Sequence, residues 1–498
     1  MGEAFPSLKR APLTMLSILL WLPRACWRGR RRILIVLAAL VAIHLTATVI
    51  TGLMLRRELN RMRQAGEPME MSKVLTPAQL EPVQWNRPGS PNAAWVYEHA
   101  FQTFALTKDE EEEYANPPYA GSTQTSTGEP ITPAQVAAAR LAFARRVIPK
   151  NERYFQLLEE ASRVEVCAFP VRWDAGAAAI FPHFAQMREA ARWLALRAEL
   201  LTSDGNLDEA LGCCATMLRI AEHAKTEPTL IGQLVAYAIQ GIACKSLENT
   251  LSAGRPSPAA CRALYDQIGA IDQIGPSVRT MQGERVIWGM WFYDELRRHP
   301  LRAGALVSGG APGEDGNQHR WLALYPSLGR PLLNLDQVTY LRLQRQETAA
   351  FGQPWPESLR TIKALDKEVE RLPIYRGTIA RMIFPVFSRA LESRESKTAL
   401  LRAAQISLAL KVYKAEHGAY PDSLAELEKA GWKLPTDPFT QKPYYYRRDG
   451  AGFVVWSAGP DMDDDDGRPL NYERLGQFSE EQSERERNNY DIPFPCAQ

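Results

Sequence analysis

Four consecutive stretches decide the fold: FAQMREAARWLALRAELLTS (184–203), DGN (204–206), LDEALGCCATMLRIAEHAKT (207–226) and PTLIGQLVAYAIQGIACKSLENTL (228–251). Apolar residues recur in the three long stretches at three- and four-residue spacing, which gathers them on one face of a helix. The breaks between them carry Asp, Gly, Asn and Pro, the residues that favour turns. The pattern predicts three successive amphipathic helices and makes the body of the protein mainly α.

Helical patterns continue on both sides of this region. They cover 93–106, 133–161 with Thr132 as the cap, 257–298, 335–348 and 356–372. The intervening segments 110–132 and 300–335 are rich in Pro, Gly and charge, which predicts surface loops. Gly309 and Gly310 lack the strand-loop-helix setting that phosphate binding requires. We therefore expect a helical domain of bundle or hairpin type over 93–373.

The most apolar run of the chain lies near the N-terminus and reads ILIVLAALVAIHLTATVITGLML, 33–55. No charge interrupts it, and at about 1.5 Å per residue it slightly exceeds the roughly 30 Å hydrocarbon core of a bilayer. It is longer than the apolar region of a cleaved signal, about 7–15 residues, and it leads directly into Arg56 and Arg57. The run predicts a retained transmembrane helix, with a buried core helix as the alternative.

Basic residues flank this run on both sides, and more of them precede it. The preceding ones are Lys9, Arg10, Arg24, Arg28, Arg30, Arg31 and Arg32, and the following ones are Arg56, Arg57, Arg61 and Arg63. The positive-inside rule then predicts a single-pass protein of the cell membrane, with segment 1–32 cytoplasmic and the body extracytoplasmic. The apolar run 13–22 is too short to cross and suits a helix in the headgroup region. The Pro-rich segment 56–92 predicts a stalk.

Charge and cysteine usage exclude several classes of function. The formal net charge of +2 hides a basic N-terminus and an acidic C-terminus, including an acidic tail over 471–498. Because the basic residues cluster beside the membrane run, nucleic acid is not expected as a partner. The seven cysteines form no CxxC motif and no Cys/His metal spacing. Their odd number without framework spacing argues against a disulfide scaffold, and a single disulfide bond stays open.

Residues that could carry catalysis are scattered along the chain. The seven histidines form no HExxH or HxH pair, and no Ser or Cys stands in a nucleophile elbow. Glu284 precedes Arg285, and an ion pair on a helix surface is a commoner arrangement for such neighbours than a catalytic acid. The aromatic residues between 288 and 293 suit a core more often than a ligand pocket. A catalytic site that folding assembles from distant segments is the alternative.

The C-terminal region 374–470 predicts a small α+β module. The stretch 393–417 carries a broad apolar stripe and ends at Gly418, and a short second helix covers 424–430. Two runs rich in aromatic and branched residues, 443–448 and 452–457, are joined through Asp-Gly. This is the pattern of a β-hairpin.

The order of motifs in this module carries a resemblance. The motifs are LALKVYKAEHGAYPDSLAEL (408–427), Gly431-Trp432, Pro435-Thr436-Asp437-Pro438-Phe439, a Tyr-rich strand and Ser457-Ala458-Gly459-Pro460-Asp461. Over about 394–468 the chain resembles the C-terminal region of the type II secretion major pseudopilin G. The resemblance implies a long helix packed on a small antiparallel sheet and an aspartate-bearing loop that binds calcium. The whole chain also looks like bacterial single-pass membrane proteins in which a pseudopilin-like tail follows a helical domain.

The loop DMDDDDG (461–467) is the candidate metal site. Calcium takes six to eight oxygen ligands, and a run of carboxylates beside a glycine can supply several. The spacing is not that of an EF-hand, because Met462 would occupy the first ligand position. Asp461, Asp463 and Asp465 are the expected calcium ligands. A solvated acidic turn is the alternative, and both remain open.

These features predict a membrane-anchored, non-enzymatic envelope protein that acts through protein–protein interaction, linked to a secretion or pilus-like assembly. The expected partners are the lipid bilayer and other proteins, and the expected cofactor is calcium. The alternative is an exported enzyme of the hydrolase class, whose site is assembled from scattered residues in the helical body.

Overall fold

A computed structural model of the chain describes residues 27–81, 91–118, 131–299, 329–384, 387–469 and 490–497. Within these residues the protein is mainly helical and has a three-stranded antiparallel sheet near its C-terminus. The predicted fold class is confirmed at this level. Segment 1–26, Gly309, Gly310 and the part of the acidic tail from 471 to 489 lie outside the described residues.

The helices follow the predicted order. In the first half they are α1 (Trp27–Gln64), α2 (Met71–Val74), α3 (Pro77–Leu80), α4 (Ala93–Thr103), α5 (Lys108–Ala115), α6 (Pro133–Val147), α7 (Glu152–Ser162), α8 (Pro182–Ser203), α9 (Leu207–Ala224) and α10 (Leu230–Ala253). Then come α11 (Pro258–Gly269), α12 (Ile274–Gly283), a π-helix (Glu284–Met290), α13 (Trp291–Arg298), α14 (Arg330–Phe351), α15 (Trp355–Arg371), α16 (Ile374–Ile383), α17 (Phe387–His417) and α18 (Leu424–Lys429). Short 3₁₀ helices cover Pro149–Asn151 and Trp173–Ala178.

The chain divides into two compact units. The anchor unit comprises residues 1–60 and 295–338, and the body unit comprises residues 61–294 and 339–498. In the anchor unit, the apolar side chains of α1 are exposed along the predicted span, with Ile43 65% exposed. Helix α1 is therefore a candidate membrane span by length and composition, which is consistent with a single-pass membrane protein.

Polar side chains inside the apolar run of α1 satisfy their own hydrogen bonds. Thr48 Oγ1 donates to the carbonyl of His44 at 2.8 Å, and Thr51 Oγ1 donates to that of Ala47 at 2.8 Å. From α14, Asn334 Nδ2 donates to Thr51 Oγ1 at 3.3 Å. Such bonds suit a hydrocarbon environment, where unsatisfied polar groups are costly.

Helices α8, α9 and α10 form an up-down-up bundle at the centre of the body unit. At one end, the Thr202 and Thr250 hydroxyls lie 3.1 Å apart. At the other end, a Cβ added to Gly232 would lie 2.9 Å from the ring of Phe184. The same offset of 48 residues at both ends shows that α8 and α10 run parallel. The three helices predicted from the sequence are confirmed.

The C-terminal sheet has the order β1 (Tyr445–Asp449), β2 (Gly452–Ser457), β3 (Ile492–Cys496). The predicted hairpin is confirmed as β1 and β2, with Tyr445 opposite Trp456. Helix α17 packs against β2, β3, α10 and α11. One hydrophobic core includes Leu218 and Phe494, so packing is continuous across the predicted boundary at 373/374, which stays a prediction.

Strand β3 differs from the sequence expectation, which assigned its residues to the acidic tail. Its five residues pair antiparallel with β2, placing Phe494 opposite Val455, and both side chains are buried. Burial of these apolar residues against α17 explains why the chain returns to the sheet.

The segment 56–92, predicted as a stalk, also differs from the sequence expectation in its described part. Helix α1 continues past the apolar run to Gln64, and α2 and α3 follow within 71–80. Val74 and Ala78 are buried, and Arg279 Nη2 donates to the carbonyl of Val74 at 2.9 Å. This segment therefore packs on the body instead of standing as an extended stalk.

The start of the predicted loop 110–132 is helical. Thr107 and Glu110 form a capping box, in which each side chain accepts a hydrogen bond from the other residue's backbone N–H. This reciprocal cap satisfies two otherwise unpaired N–H groups and begins α5 despite its highly charged sequence. Residues 119–130 lie outside the described part of the chain.

Candidate functional site: two adjoining grooves and an acidic loop

A groove between α5, α6 and α8 has the most apolar lining of those described. Its wall includes Tyr114, Val136, Phe143, Trp193 and Leu196, and we call it the aromatic groove. It encloses about 340 Å³. The volume and the apolar lining suit a few side chains of a bound segment.

Ring contacts form the wall of the aromatic groove. The ring of Trp193 lies 4.5 Å from that of Tyr114 and 4.5 Å from that of Phe104. The Tyr114 hydroxyl donates to Glu189, and partial burial together with this bond raises the pKa of Tyr114 well above its usual range. Tyr114 and Val136 remain 36% and 43% exposed, so apolar surface is presented without any rearrangement.

A second groove adjoins the first and shares two of its arginines. Arg140 and Arg192 line both, and Arg188 and Lys245 complete the cationic lining of the second, which we call the basic groove. It encloses about 540 Å³ between α8 and α10, with Glu199 as its acid. Among the described residues, its lining therefore carries four cations and one carboxylate.

Some of these cations already contact carboxylates. Arg140 Nε lies 2.6 Å from Glu199, and Arg192 Nη1 lies 3.0 Å from Glu189. Exposed ion pairs of this kind contribute about 0–1 kcal/mol. A carboxylate on a binding partner can therefore replace them at little cost.

The predicted calcium ligands lie in the loop between β2 and β3. Asp461 Oδ1 accepts a hydrogen bond from the backbone of Asp463 at 3.3 Å, while Asp461 Oδ2 is buried and has no hydrogen-bond partner among the described residues. Burial raises the pKa of Asp461. Asp463 is exposed, and Asp465 is half-buried.

The structure adds Asp491 to this loop, a residue that the sequence reasoning left in the tail. Its Oδ2 accepts hydrogen bonds from the backbone of Asp465 at 3.0 Å and of Gly467 at 2.7 Å. Its Oδ1 is buried without a hydrogen-bond partner in the described part of the chain. Burial raises the pKa of Asp491 to about 6, and the carboxylates of Asp464 and Asp465 add to the rise.

Two neighbouring aspartates have other partners. Asp464 Oδ1 accepts from the indole N–H of Trp456 at 2.9 Å, and Asp466 lies 2.6 Å from Arg447. Among the described residues, no three His, Cys, Asp or Glu side chains are arranged to hold a metal ion. A cation would therefore need the Asp463 and Asp465 side chains to turn towards Asp461 and Asp491.

The prediction of a surface ion pair between Glu284 and Arg285 is wrong. Arg285 is fully buried, and its Nη1 donates to Glu67 Oε2 at 2.6 Å. Glu284 instead accepts from the backbone N–H of Leu230 at 2.6 Å, and burial raises its pKa to about 7. The two side chains therefore join different parts of the body.

The two described histidines that are buried, His223 and His183, have different hydrogen-bond and ion-pair partners. His223 bonds the Tyr97 hydroxyl and the carbonyl of Val164, both at 2.9 Å, and burial lowers its pKa to about 4. His183 Nε2 lies 3.0 Å from Glu227 Oε1 and is buried. Neither histidine lines the aromatic or the basic groove.

The aromatic residues between 288 and 293 belong mainly to the core, as the commoner interpretation of their spacing predicted. Trp288 packs on the large hydrophobic core, 6.4 Å from the ring of Phe181. Tyr293 is fully buried, 5.6 Å from the ring of Tyr340. The six described cysteines are also buried, and no disulfide bond joins them.

The two grooves were missed from sequence because their walls come from segments far apart in the chain. No family model, curated protein or solved structure matches this chain. Functional interpretation therefore rests on the sequence and the geometry of this chain.

Proposed function

We propose that the protein is a membrane-anchored, non-enzymatic envelope protein that binds segments of other proteins. The observation that carries this proposal is the aromatic groove, an open apolar surface framed by arginines on a body that follows an apolar helix. The helix anchors the protein in the cell membrane, with the N-terminus in the cytoplasm and the body outside it.

The chemistry of the two grooves defines the bound segment. The rings around Trp193 favour an aromatic or large aliphatic side chain, since such surfaces bury well against flat rings. Arg188 and Arg192 lie along the same helix, in the basic groove. A partner segment with an apolar side chain followed by one or two carboxylates fits both features.

A display library of random decapeptides tests this proposal on the full chain in detergent micelles. Selection on the wild-type protein is compared with selection on Val136→Glu, which places a charge in the aromatic groove. Ile274→Glu is the matched control, because Ile274 is 46% exposed, close to the 43% of Val136, and lies outside both grooves.

The expected result is enrichment of peptides that combine an aromatic residue with Asp or Glu, lost with Val136→Glu and kept with Ile274→Glu. No enrichment, or equal enrichment on all three proteins, contradicts the proposal. Binding of a selected peptide, measured by fluorescence anisotropy, should weaken at least about tenfold with Val136→Glu, since a buried unpaired charge costs more than 1.4 kcal/mol.

We also propose that the loop 461–467 binds calcium. Two buried carboxylate oxygens without hydrogen-bond partners among the described residues, on Asp461 and Asp491, support this. Calcium would add to them the side chains of Asp463 and Asp465. Calorimetry on the full chain should detect calcium binding that Asp491→Asn weakens, and the absence of binding heat together with an unchanged melting temperature in chelator contradicts it.

We further propose a link to a secretion or pilus-like assembly. It depends on the order of motifs over 394–468, and the packing of α17 on the sheet is compatible with it. The alternative of an exported hydrolase, with a site assembled from scattered residues in the helical body, stays a prediction, and among the described residues no histidine lines either groove.

A further inference from the structure

A cleft in the body unit is lined mainly by polar side chains, and we call it the polar cleft. Four segments meet there: the turn before α12, the start of α15, the middle of α17 and the loop between α18 and β1. The cleft encloses about 280 Å³. This is close to the lower end of the range for small-molecule sites, about 300–1,000 Å³. Its size therefore suits one small molecule.

Hydrogen bonds from outside the cleft fix two of its walls. Lys225, a buried residue of α9, donates to the Asp272 carbonyl at 2.9 Å and to Gln273 Oε1 at 3.1 Å. In the loop before β1, the buried carboxylate of Asp437 accepts from the backbone N–H of Ala458 at 3.0 Å. The cleft is therefore formed before a ligand binds, which lowers the entropic cost of binding.

Two donors in the polar cleft suit a carboxylate. Arg402 Nη1 donates to the carbonyl of Thr436 at 2.8 Å, and because a carbonyl has no net charge, this bond leaves the guanidinium positive. Trp355 is 2% exposed, and its Nε1–H is buried without a hydrogen-bond partner among the described residues. A buried donor that lacks an acceptor is costly, and a ligand oxygen would remove that cost. A carboxylate supplies an oxygen for each donor.

Two acids in the same cleft suit a positively charged donor. Arg394 binds Glu395 through one carboxylate oxygen, Oε1, which its Nε contacts at 2.9 Å, and this leaves Oε2 for another donor. Asp272 is exposed and contributes the second carboxylate. Among the described residues of the cleft and its wall, the charges of Arg394 and Arg402 balance those of the two acids. A ligand with both signs of charge is therefore favoured over a simple anion or cation.

The apolar part of the lining indicates the side chain of the ligand. Ile274 is 46% exposed and lines the cleft together with Pro354 and Pro438. Such a surface favours an aliphatic group. The ring of Trp355 is buried 5.1 Å from that of Phe439, so it offers little surface for stacking on a sugar or an aromatic ring.

We propose that the polar cleft binds a free α-amino acid with an aliphatic side chain. The carboxylate of the ligand accepts from Arg402 and from the indole of Trp355, and its ammonium group donates to Glu395 Oε2 and Asp272. This site is independent of the membrane anchor and of the two grooves, since among the described residues the cleft shares no lining residue with either groove.

Isothermal titration calorimetry of the full chain in detergent micelles tests the proposal with three probes of similar shape. L-Leucine carries both charged groups, 4-methylpentanoate lacks the ammonium group, and leucinamide lacks the carboxylate. We expect saturable binding of leucine that is at least about tenfold tighter than the binding of either analogue. Because this comparison uses the wild-type protein only, it does not depend on how well a variant folds.

Two variants assign the contacts of the carboxylate. Trp355→Phe removes the indole N–H and should weaken leucine binding about three- to tenfold. Trp173→Phe is its matched control and should leave binding unchanged, because Trp173 Nε1 is also buried without a partner among the described residues but lies outside the cleft. Arg402→Gln should weaken leucine binding about tenfold or more and leucinamide binding less than about threefold, since leucinamide has no carboxylate.

Three results would overturn the proposal. The first is the absence of saturable binding of leucine, isoleucine and valine to the wild-type protein. The second is equal affinity for leucine and 4-methylpentanoate, which would mean that the ammonium group has no partner in the cleft. The third is an equal loss of leucine binding in Trp355→Phe and Trp173→Phe, which would place the ligand elsewhere.

Discussion

In the described part of the chain, two helices are long and apolar enough to cross a membrane, and they have opposite surroundings. In α1 none of the most apolar window is buried within the protein, whereas in α10 half of it is. Helix α10 lies between α8, α9 and α17. An apolar composition indicates only that a helix is excluded from water. Its packing partners determine whether the helix is surrounded by protein or by lipid.

Sequence details separate the two helices. The buried face of α10 carries small residues such as Gly232, Ala236 and Ala243, which let neighbouring helices approach closely. Its first turn is capped by Thr229, and Glu284 binds the N–H of Leu230. Helix α1 has large aliphatic side chains around its whole circumference and arginines at both ends of its apolar run. Lipid can surround such a helix on all sides, whereas a protein core that buries one face of a helix cannot.

The largest effect is expected from charges in the middle of α1. Leu40→Arg combined with Val41→Arg should oppose membrane insertion by about 5–7 kcal/mol, since each arginine at the centre of a span costs about 2.5–3.5 kcal/mol. Alkaline carbonate extraction should then release the protein from the membrane pellet. Val136→Arg with Ile274→Arg adds the same charge to exposed body positions and should leave the protein in the pellet. Retention of the Leu40/Val41 variant would count against α1 as the anchor.

A smaller but still large effect is expected in the core of α10. Ile239 is fully buried, so Ile239→Ala should lower the free energy of unfolding by about 2–5 kcal/mol through lost contacts and a cavity. Ile231→Ala removes the same atoms from a half-exposed position on the same helix and should cost less than about 0.5 kcal/mol. Chemical denaturation of the full chain in detergent measures both. Equal losses would mean that α10 is not buried on one face only.

Glu284, which accepts a hydrogen bond from the first residue of α10, should make stability depend on pH. Its folded pKa of about 7 lies above the value of an unfolded glutamate, so it destabilises the fold progressively as pH rises from about 4.5 to 7. Glu284→Gln keeps the acceptor for Leu230 and should raise the free energy of unfolding by about 1–3 kcal/mol at pH 8. The gain should disappear near pH 4.5. A gain that does not change with pH would point to a cause other than ionisation.

His223 should act in the opposite direction over a similar range. Its folded pKa of about 4 lies below that of an unfolded histidine, so its contribution is complete above about pH 6.5 and is lost as pH falls towards 4. At pH 5 the loss is about 2 kcal/mol. His223→Gln should flatten this acid limb in thermal unfolding profiles, while Glu284→Gln steepens it. An unchanged profile in His223→Gln would show that another group controls the acid limb.

Periodicity predicted most helices of the body because each long helix has one apolar face. The same reasoning failed for β3, whose Pro493 and Pro495 argue against a strand. In the structure β3 is at the edge of the sheet, where a proline without an N–H is tolerated. For α5, the sequence contains the Thr107 and Glu110 capping box. The high charge of the segment and the prolines that follow it nevertheless favoured the prediction of a loop.

The candidate site depends more on distant contacts. Phe104 follows α4, Tyr114 lies in α5 and Trp193 lies in α8, so no local pattern predicts that their rings meet. Asp461 was predicted from its local run of carboxylates, whereas Asp491 reaches the loop only because β3 returns beside β2. The run of carboxylates was therefore predictable from the local sequence, whereas the distant residues that complete each site were not.

The central proposal is that α1 lies in lipid, whereas α10, which is less apolar but still apolar enough to span, belongs to the folded body. Photolabelling of the full chain, in vesicles whose lipids carry a diazirine near the end of the acyl chain, tests it directly. After proteolysis, mass spectrometry should find adducts within 33–55 and none within 236–253. Adducts along 236–253, or none within 33–55, would contradict the account.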